Sequence, residues 1–381
     1  MCIVFYTLSQ PGYKLILASN RDEYLDRAAS PAHWHRFDCG TDATAASSST
    51  GAASANAEAR EDGDGDAEDF ASSRNLADGK DHAHARSESE PWVLSGRDMG
   101  SIEQGTWLGM TKDLRIGVLT NIRQSRSSTP TFGVRPSRGS LLKSFLSPPP
   151  LLSLPSVDTF LRDLLPSAED YDGFNLLLFH LRPPPPSDVD SASPFTHPCA
   201  EDWDHPQVGY LSNRPAPICY ALHPPTTDTV PKLGPNDDEE LGKAYGMSNS
   251  PLAEPWTKVT EGEKAMAQSL EYWSANGEDE ERLIERLIKL LQQSIPLTSL
   301  ASATASTLIP PVQLGANVES PLDSSQATGR WYGTRLSTII LVRDDGHVTF
   351  VERDVARLED GQLRTGGGER RFGFRAEAPV R

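Results

Sequence analysis

Cysteine is scarce in this chain of 381 residues. Cys2, Cys39, Cys199 and Cys219 are too few and too scattered for a disulfide scaffold, and none forms a C-x-x-C pair or adjoins a histidine at zinc spacing. A reducing compartment suits such thiols best. Basic charge is also short: 36 Lys and Arg face 53 Asp and Glu, a formal net charge of −17. That balance disfavours nucleic acid or an anionic membrane as a main partner, because either needs a basic footprint to neutralise phosphates. Long apolar runs are missing too. The run from Cys2 to Leu8 lacks a basic leader and breaks at Ser9-Gln10-Pro11, so it reads as a strand and is too short for a secretory signal or membrane span. Apolar residues make up only 37% of the chain, beside 30 Pro and 29 Gly, so the folded part is smaller than the length suggests.

The polar excess is partly local. Between Glu58 and Glu90 eleven acids face four bases, in a stretch (39–90) of Ala, Ser, Gly and Asp whose large apolar residues are Phe70 and Leu76. Such a segment cannot offset its ordering entropy and is expected to be a disordered insertion. The proline-rich stretch 183–206 and the Ser/Thr/Ala/Pro stretch 297–328 are expected to be two more loose insertions in one domain spanning 1–381. Pro183 to Pro186 read as solvated linker more readily than as a ligand for an aromatic groove.

Around these insertions the patterning predicts a hairpin of residues 3–8 and 14–19 turning at Pro11-Gly12. Further strands are expected at 92–94, 107–110, 115–120, 174–181, 208–212 and 218–222, with a closing pair at 338–342 and 348–352. Helical spacing covers 138–146, 157–164, 261–273 and 280–295, the last with Leu283, Leu287, Leu291 and Ile295 on one stripe. Strands at both ends and helices between imply a layered α+β domain.

Chemistry is densest near the start. A small residue after the initiator Met normally allows that Met to be removed, which would place a thiol and a free α-amine together on Cys2. An α-amine with a reference pKa of about 7.7–8.0 can act as a general base near neutral pH, and a nearby Arg would favour the thiolate. The other reading of Cys2 is a small hydrophobe opening a buried strand. Asn20-Arg21-Asp22-Glu23 is expected just past the end of the second strand. There Arg21 can pair with a carboxylate or ligand phosphate and Asp22 can accept from the terminal amine; otherwise the four are a solvated turn. Asn121, Asn175 and Asn249 each close an apolar run, as oxyanion-stabilising amides or as turn formers. Arg335 precedes an apolar strand, as a second anion anchor or an ordinary surface Arg. No metal site is expected, since His33-Trp34-His35 and His82-Ala83-His84 lack a third ligand. C-x-x-C-H is absent and no Cys precedes Pro, so covalent or thiolate haem ligation has no signature.

Several segments in order resemble one family: Met1-Cys2-Ile3-Val4-Phe5, Leu15 through Asn20-Arg21-Asp22-Glu23, Gly105-Thr106-Trp107-Leu108-Gly109, Leu119-Thr120-Asn121, Gly173-Phe174-Asn175-Leu176, Leu211-Ser212-Asn213, Tyr245 through Asn249, Pro255-Trp256, and Gly333-Thr334-Arg335 through Phe350. Together they resemble the transport-and-Golgi-organisation family, the NRDE proteins, over nearly the whole chain outside the three insertions.

The resemblance implies an αββα sandwich similar to the N-terminal-nucleophile hydrolases of the choloylglycine hydrolase type, with Cys2 at the nucleophile position. It implies catalytic roles for Cys2, Asp22, Asn121 and Asn175, and ligand contacts from Asn20, Arg21, Glu23, Asn249 and Arg335. Arg21 and Asp22 adjoin, so a regular strand would turn them to opposite faces. Membership further implies Golgi organisation, secretion, haem trafficking, or acyl-coenzyme A and lipid handling, in a cytoplasmic, non-secreted protein with Golgi or mitochondrial association. Two classes of function stay open. One is a carrier for an acidic amphipathic ligand, acyl-coenzyme A or haem, with no required cofactor. The other is a cysteine-dependent hydrolase or acyltransferase acting on an amide or thioester.

Overall fold

A computed structural model describes residues 1–37, 92–122, 135–147, 155–181, 206–221, 243–297, 300–314 and 329–377. Residues Met1–Arg36 and Glu90–Arg381 belong to one compact unit. The expected insertion at 39–90 thus lies outside the described residues, as does that at 183–206 apart from Pro206.

The chain opens with strands β1 (Ile3–Thr7), β2 (Tyr13–Tyr24), β3 (His33–His35), β4 (Val93–Ser95), β5 (Leu108–Thr111) and β6 (Arg115–Asn121). Helices α1 (Gly139–Leu146) and α2 (Val157–Leu164) precede β7 (Phe174–His180), β8 (Gln207–Ser212), β9 (Ile218–Ala221) and β10 (Tyr245–Met247). Helices α3 (Thr257–Ala275), α4 (Glu280–Leu291) and α5 (Leu300–Ala305) lead to β11 (Val312–Gln313), β12 (Trp331–Arg343) and β13 (His347–Asp354). A small hairpin, β14 (Ala356–Glu359) and β15 (Gln362–Thr365), and the strand β16 (Glu369–Arg375) follow.

The first sheet runs β10-β1-β2-β12-β13-β16 with β11 added on β12, and the second runs β3-β4-β5-β6-β7-β8-β9. The period-two alternation of β2 builds the layers. Leu15 and Leu17 enter a core shared with Ile116, Val118, Leu177 and Phe179 of the second sheet. Ile16 and Ala18 turn the other way, onto Met266 and Leu270 of α3 and Leu283 and Leu287 of α4. On the far side α1 packs on β5 and β6, and α2 on β8. Small residues let those helices seat: a Cβ at Gly117 would lie 2.4 Å from Leu142 Cδ2, and one at Gly209 would lie 2.5 Å from Leu161 Cδ1. The result is helices, sheet, sheet, helices, the αββα order that the resemblance implied.

The α4 helix shows how local signals and packing agree. Asp279 caps its start, accepting from Arg282 N at 2.9 Å, an arrangement that contributes about 1 kcal/mol. Leu283, Ile284, Leu287, Ile288 and Leu291 are buried, each fully buried side chain stabilising the fold by about 1.5–3 kcal/mol. The helix stops at Leu291; Ile295, expected on the same stripe, lies beyond it and is exposed.

Three expectations are corrected. The strand β2 does not stop at Ser19 but pairs with β12 as far as Tyr24, which puts Asn20–Glu23 inside a strand. The stretch 297–328 is not uniformly loose, for α5 and β11 lie within it and Ala303, Ile309 and Leu314 are buried against Met1 and Tyr332. Its small residues, which carry little periodic signal, are the ones that can pack tightly there. Finally, the chain does not close with β13: β16 adds an edge, with Phe372 and Phe374 packed on the inter-sheet core.

Candidate functional site

Ile3 pairs with Asn20, so continuing the register sets Cys2 beside Arg21 and Met1 beside Asp22. The alternation then divides the motif into two faces. On the helix-facing side the chain start is held by buried polar groups. The Met1 amine lies 3.1 Å from Asp22 Oδ2 and also donates to the Tyr332 hydroxyl. Asp22 Oδ1 accepts from Thr334 Oγ1 at 2.6 Å. Lys258, on the first turn of α3, donates from Nζ to the Met1 carbonyl at 2.5 Å. Ser248 Oγ donates to the Cys2 carbonyl at 2.6 Å. The Met1 side chain packs among Ala303, Ile309, Leu314 and Tyr332. A cation at a helix N-terminus opposes the macrodipole, and burial further pushes the Lys258 ammonium below its ordinary pKa, with Asp22 as the chief opposing charge.

The Cys2 thiol is half-buried against the Asp22 backbone, with Asp22 N donating to Sγ at 3.4 Å and Sγ lying 3.6 Å from Asp22 O. Burial pushes its pKa up, and the N-terminal charge opposes that only in part. The thiol is therefore protonated near neutral pH. The Met1 α-amine is engaged with Asp22.

The other face is built of arginines. Arg21 lies over the Trp107 ring, its Cζ 3.5 Å from the ring centroid, and is 6% exposed. Burial lowers its pKa to about 10, with Glu23 the main opposing charge, and its Nη1 has no hydrogen-bond partner. Glu23 accepts from Tyr24 N at 2.9 Å and lies 3.9 Å from Arg27 Nε. Arg27 grips Asp98 through Nε and Nη2 at 2.9 and 2.7 Å. Arg335 occupies a β-bulge: Thr334 pairs with Asp22 and Leu336 with Arg21, so Arg335 is the extra residue. Its Nη1 donates to the carbonyls of Tyr24, at 3.2 Å, and Arg27. Burial lowers the pKa of Arg335, against Glu23, and of Arg138, against Asp172 and Glu23. Arg138 donates to Gly173 O at 3.0 Å.

Cys2, Arg21, Asp22, Glu23 and Arg335 thus share one region. Two asparagines serve the scaffold instead. Asn20 Nδ2 donates to Leu291 O at 2.8 Å and Thr307 O at 3.1 Å, and its Oδ1 accepts from Ser337 at 2.7 Å. Expected as a ligand contact, it ties β2 to the end of α4. Asn175, expected to hold an oxyanion, spends its amide on Ser248 O and Ser250 O, both at 2.9 Å, while its Oδ1 accepts from Tyr210. It fixes the turn from which Ser248 reaches Cys2. Asn249 Nδ2 donates to the Asn121 carbonyl, and its buried Oδ1 has no partner. Asn121 is half-buried at the end of β6. His33 and His35 lie on β3, held by Pro31 O and Ser95 Oγ at 2.9 Å each. Sequence reasoning missed Lys258, Tyr332, Thr334, Ser248, Trp107 and Arg138. Trp107, Ser248 and Thr334 lie in segments that carry the resemblance, whereas Lys258 precedes the helix expected at 261–273, which begins at Thr257.

The Transport and Golgi organisation 2 family model matches residues 1–51 and 79–357. The chain is similar to the Transport and Golgi organization protein 2 homolog of Bos taurus, 27% identical with 93% of each chain covered. It is 26% identical to that of Homo sapiens, again over 93% of each chain. Its counterpart from Mus musculus is 25% identical over 96% of this chain and 97% of its own. Among solved structures, the C2A mutant of conjugated bile acid hydrolase from Clostridium perfringens is similar at a TM-score of 0.38 and 9% identity, covering 99% of this chain and 98% of its own.

Proposed function

Since the chain belongs to the Transport and Golgi organisation 2 family, we propose that it serves Golgi organisation and secretion as a cytoplasmic binding protein whose Cys2 region holds an acidic amphipathic ligand of the acyl-coenzyme A or haem class. The observation that carries this reading is Arg21, buried, stacked on Trp107 and left with Nη1 unpartnered. A desolvated guanidinium is costly until an anion supplies charge-assisted hydrogen bonds. Arg27, Arg138 and Arg335 add positive charge around it, and Trp107 offers an apolar platform. A protonated thiol suits retention of a ligand better than attack on it. Among the described residues no helix is long and apolar enough to cross a membrane.

A second reading, an N-terminal-cysteine hydrolase or acyltransferase, draws on Asp22, Tyr332 and Lys258 around the first peptide bond. Removal of Met1 would turn these groups onto the amine of Cys2, the base such a mechanism needs. One set of titrations separates the two. Palmitoyl-coenzyme A and haemin are each titrated into the full chain, followed by intact-mass measurement. Arg21→Met is expected to weaken binding roughly 10–100-fold, the loss of a charge-assisted pair, while Cys2→Ala binds as the parent does. A mass gain of one acyl group that disappears in Cys2→Ala would overturn the carrier reading in favour of the enzyme.

A further inference from the structure

A second arginine is buried with less support than Arg21. Arg115 opens β6 and is 1% exposed. Its neighbours in sequence, Leu114 and Ile116, enter the inter-sheet core, so alternation turns Arg115 to the side that α1 covers. There its Cζ lies 4.2 Å from the ring centroid of Phe145. Nε, Nη1 and Nη2 all lack a hydrogen-bond partner, and among the described residues Arg115 has no ion pair. Asp113, the acid that most favours its charge, accepts instead from the Thr111 hydroxyl. The C-cap of α1, Ser147, presents a second buried group without a partner, its Oγ. Across the strand pair Arg115 faces His180, whose imidazole is held neutral, its pKa lowered to about 4 chiefly by burial and partly by Arg115 itself.

We propose that Arg115, beneath the Phe145 ring of α1, forms an anion-binding site, separate from the Cys2 region, that takes a single carboxylate or phosphate group. A ring stacked on a guanidinium compensates part of its desolvation but accepts none of its in-plane hydrogen bonds. A planar fork with free donors is matched by the paired oxygens of a carboxylate or phosphate. An apolar side chain of similar volume in place of a buried charge is often stabilising, so the cation itself adds no stability until an anion meets it.

The test compares thermal midpoints of the full chain in chloride with those in inorganic phosphate or in acetate at equal ionic strength. An anion at 100-fold excess over its Kd is expected to raise the midpoint by about 5 °C, and whichever anion does so names the source of the oxyanion. Arg115→Met is expected to abolish the shift and to melt in chloride no lower than the parent. Arg115→Lys keeps the charge without the fork and is expected to weaken the anion at least about 10-fold. Arg21→Met is expected to leave the shift intact, so failure here is distinct from failure of the carrier reading. The proposal is overturned if the parent shows no shift in either anion, or if Arg115→Met responds as the parent does.

Discussion

Alternate residues of one strand do opposite work at this site. Asn20 and Asp22 point toward the helix layer and tie the scaffold, Asn20 by hydrogen bonds to the end of α4 and Asp22 by an ion pair with the Met1 amine and a hydrogen bond from Thr334. Arg21 and Glu23 point toward the second sheet, where Arg21 keeps a nitrogen without a partner and Glu23 is only half-buried. The face tied to the helix layer holds the fold, and the one that keeps an unpartnered guanidinium nitrogen is free to meet a ligand. A contiguous polar motif in a strand is thus two half-motifs, and mutating its members is expected to separate stability from binding.

The largest effect is expected at Asp22. Asp22→Ala leaves the Met1 ammonium and Lys258 buried without their carboxylate, a loss of about 3–5 kcal/mol to be read from the denaturant midpoint. A loss near zero would show that the chain start is not held as described. Asn20→Ala removes hydrogen bonds to Leu291 O, Thr307 O and Ser337 Oγ, at about 2–3 kcal/mol. Ligand affinity should stay at the parent value in the surviving folded protein. If Asn20→Ala instead weakened the ligand and spared stability, the division between the faces would fail.

The smallest effect is kinetic. Because burial raises the Cys2 pKa, iodoacetamide at pH 8 is expected to modify Cys2 more slowly in the folded chain than in urea. The folded rate should climb only as pH passes above the ordinary thiol range, as peptide mapping would record. Faster modification in the folded state would mark an activated thiolate and favour the enzyme.

Legibility followed the range of the forces involved. The first hairpin, the stripe of α4 and the strands around 115–120 and 174–181 follow from periodicity and turn chemistry, both local. The end of β2 was misplaced because polar Asn20–Glu23 ends the apolar pattern, whereas the backbone ladder with β12 continues irrespective of side-chain polarity. The structured part of 297–328 was missed because Ala303, Ser306 and Thr307 are buried by being small and well packed, which composition reads as loop. Asn175 was found but given a different task, since a residue type at a strand end does not say which carbonyls its amide will meet.

By itself the sequence determined the family and the layered α+β class, since ordered motifs and hydrophobic periods are written locally in the chain. Tertiary structure decided which face each motif residue takes, that a bulge carries Arg335 and that α3 brings Lys258 to the chain start. It also decided that Arg115 is buried without a partner. These outcomes depend on contacts between segments far apart in sequence, where strand register and the loss of water set the energy of each polar group.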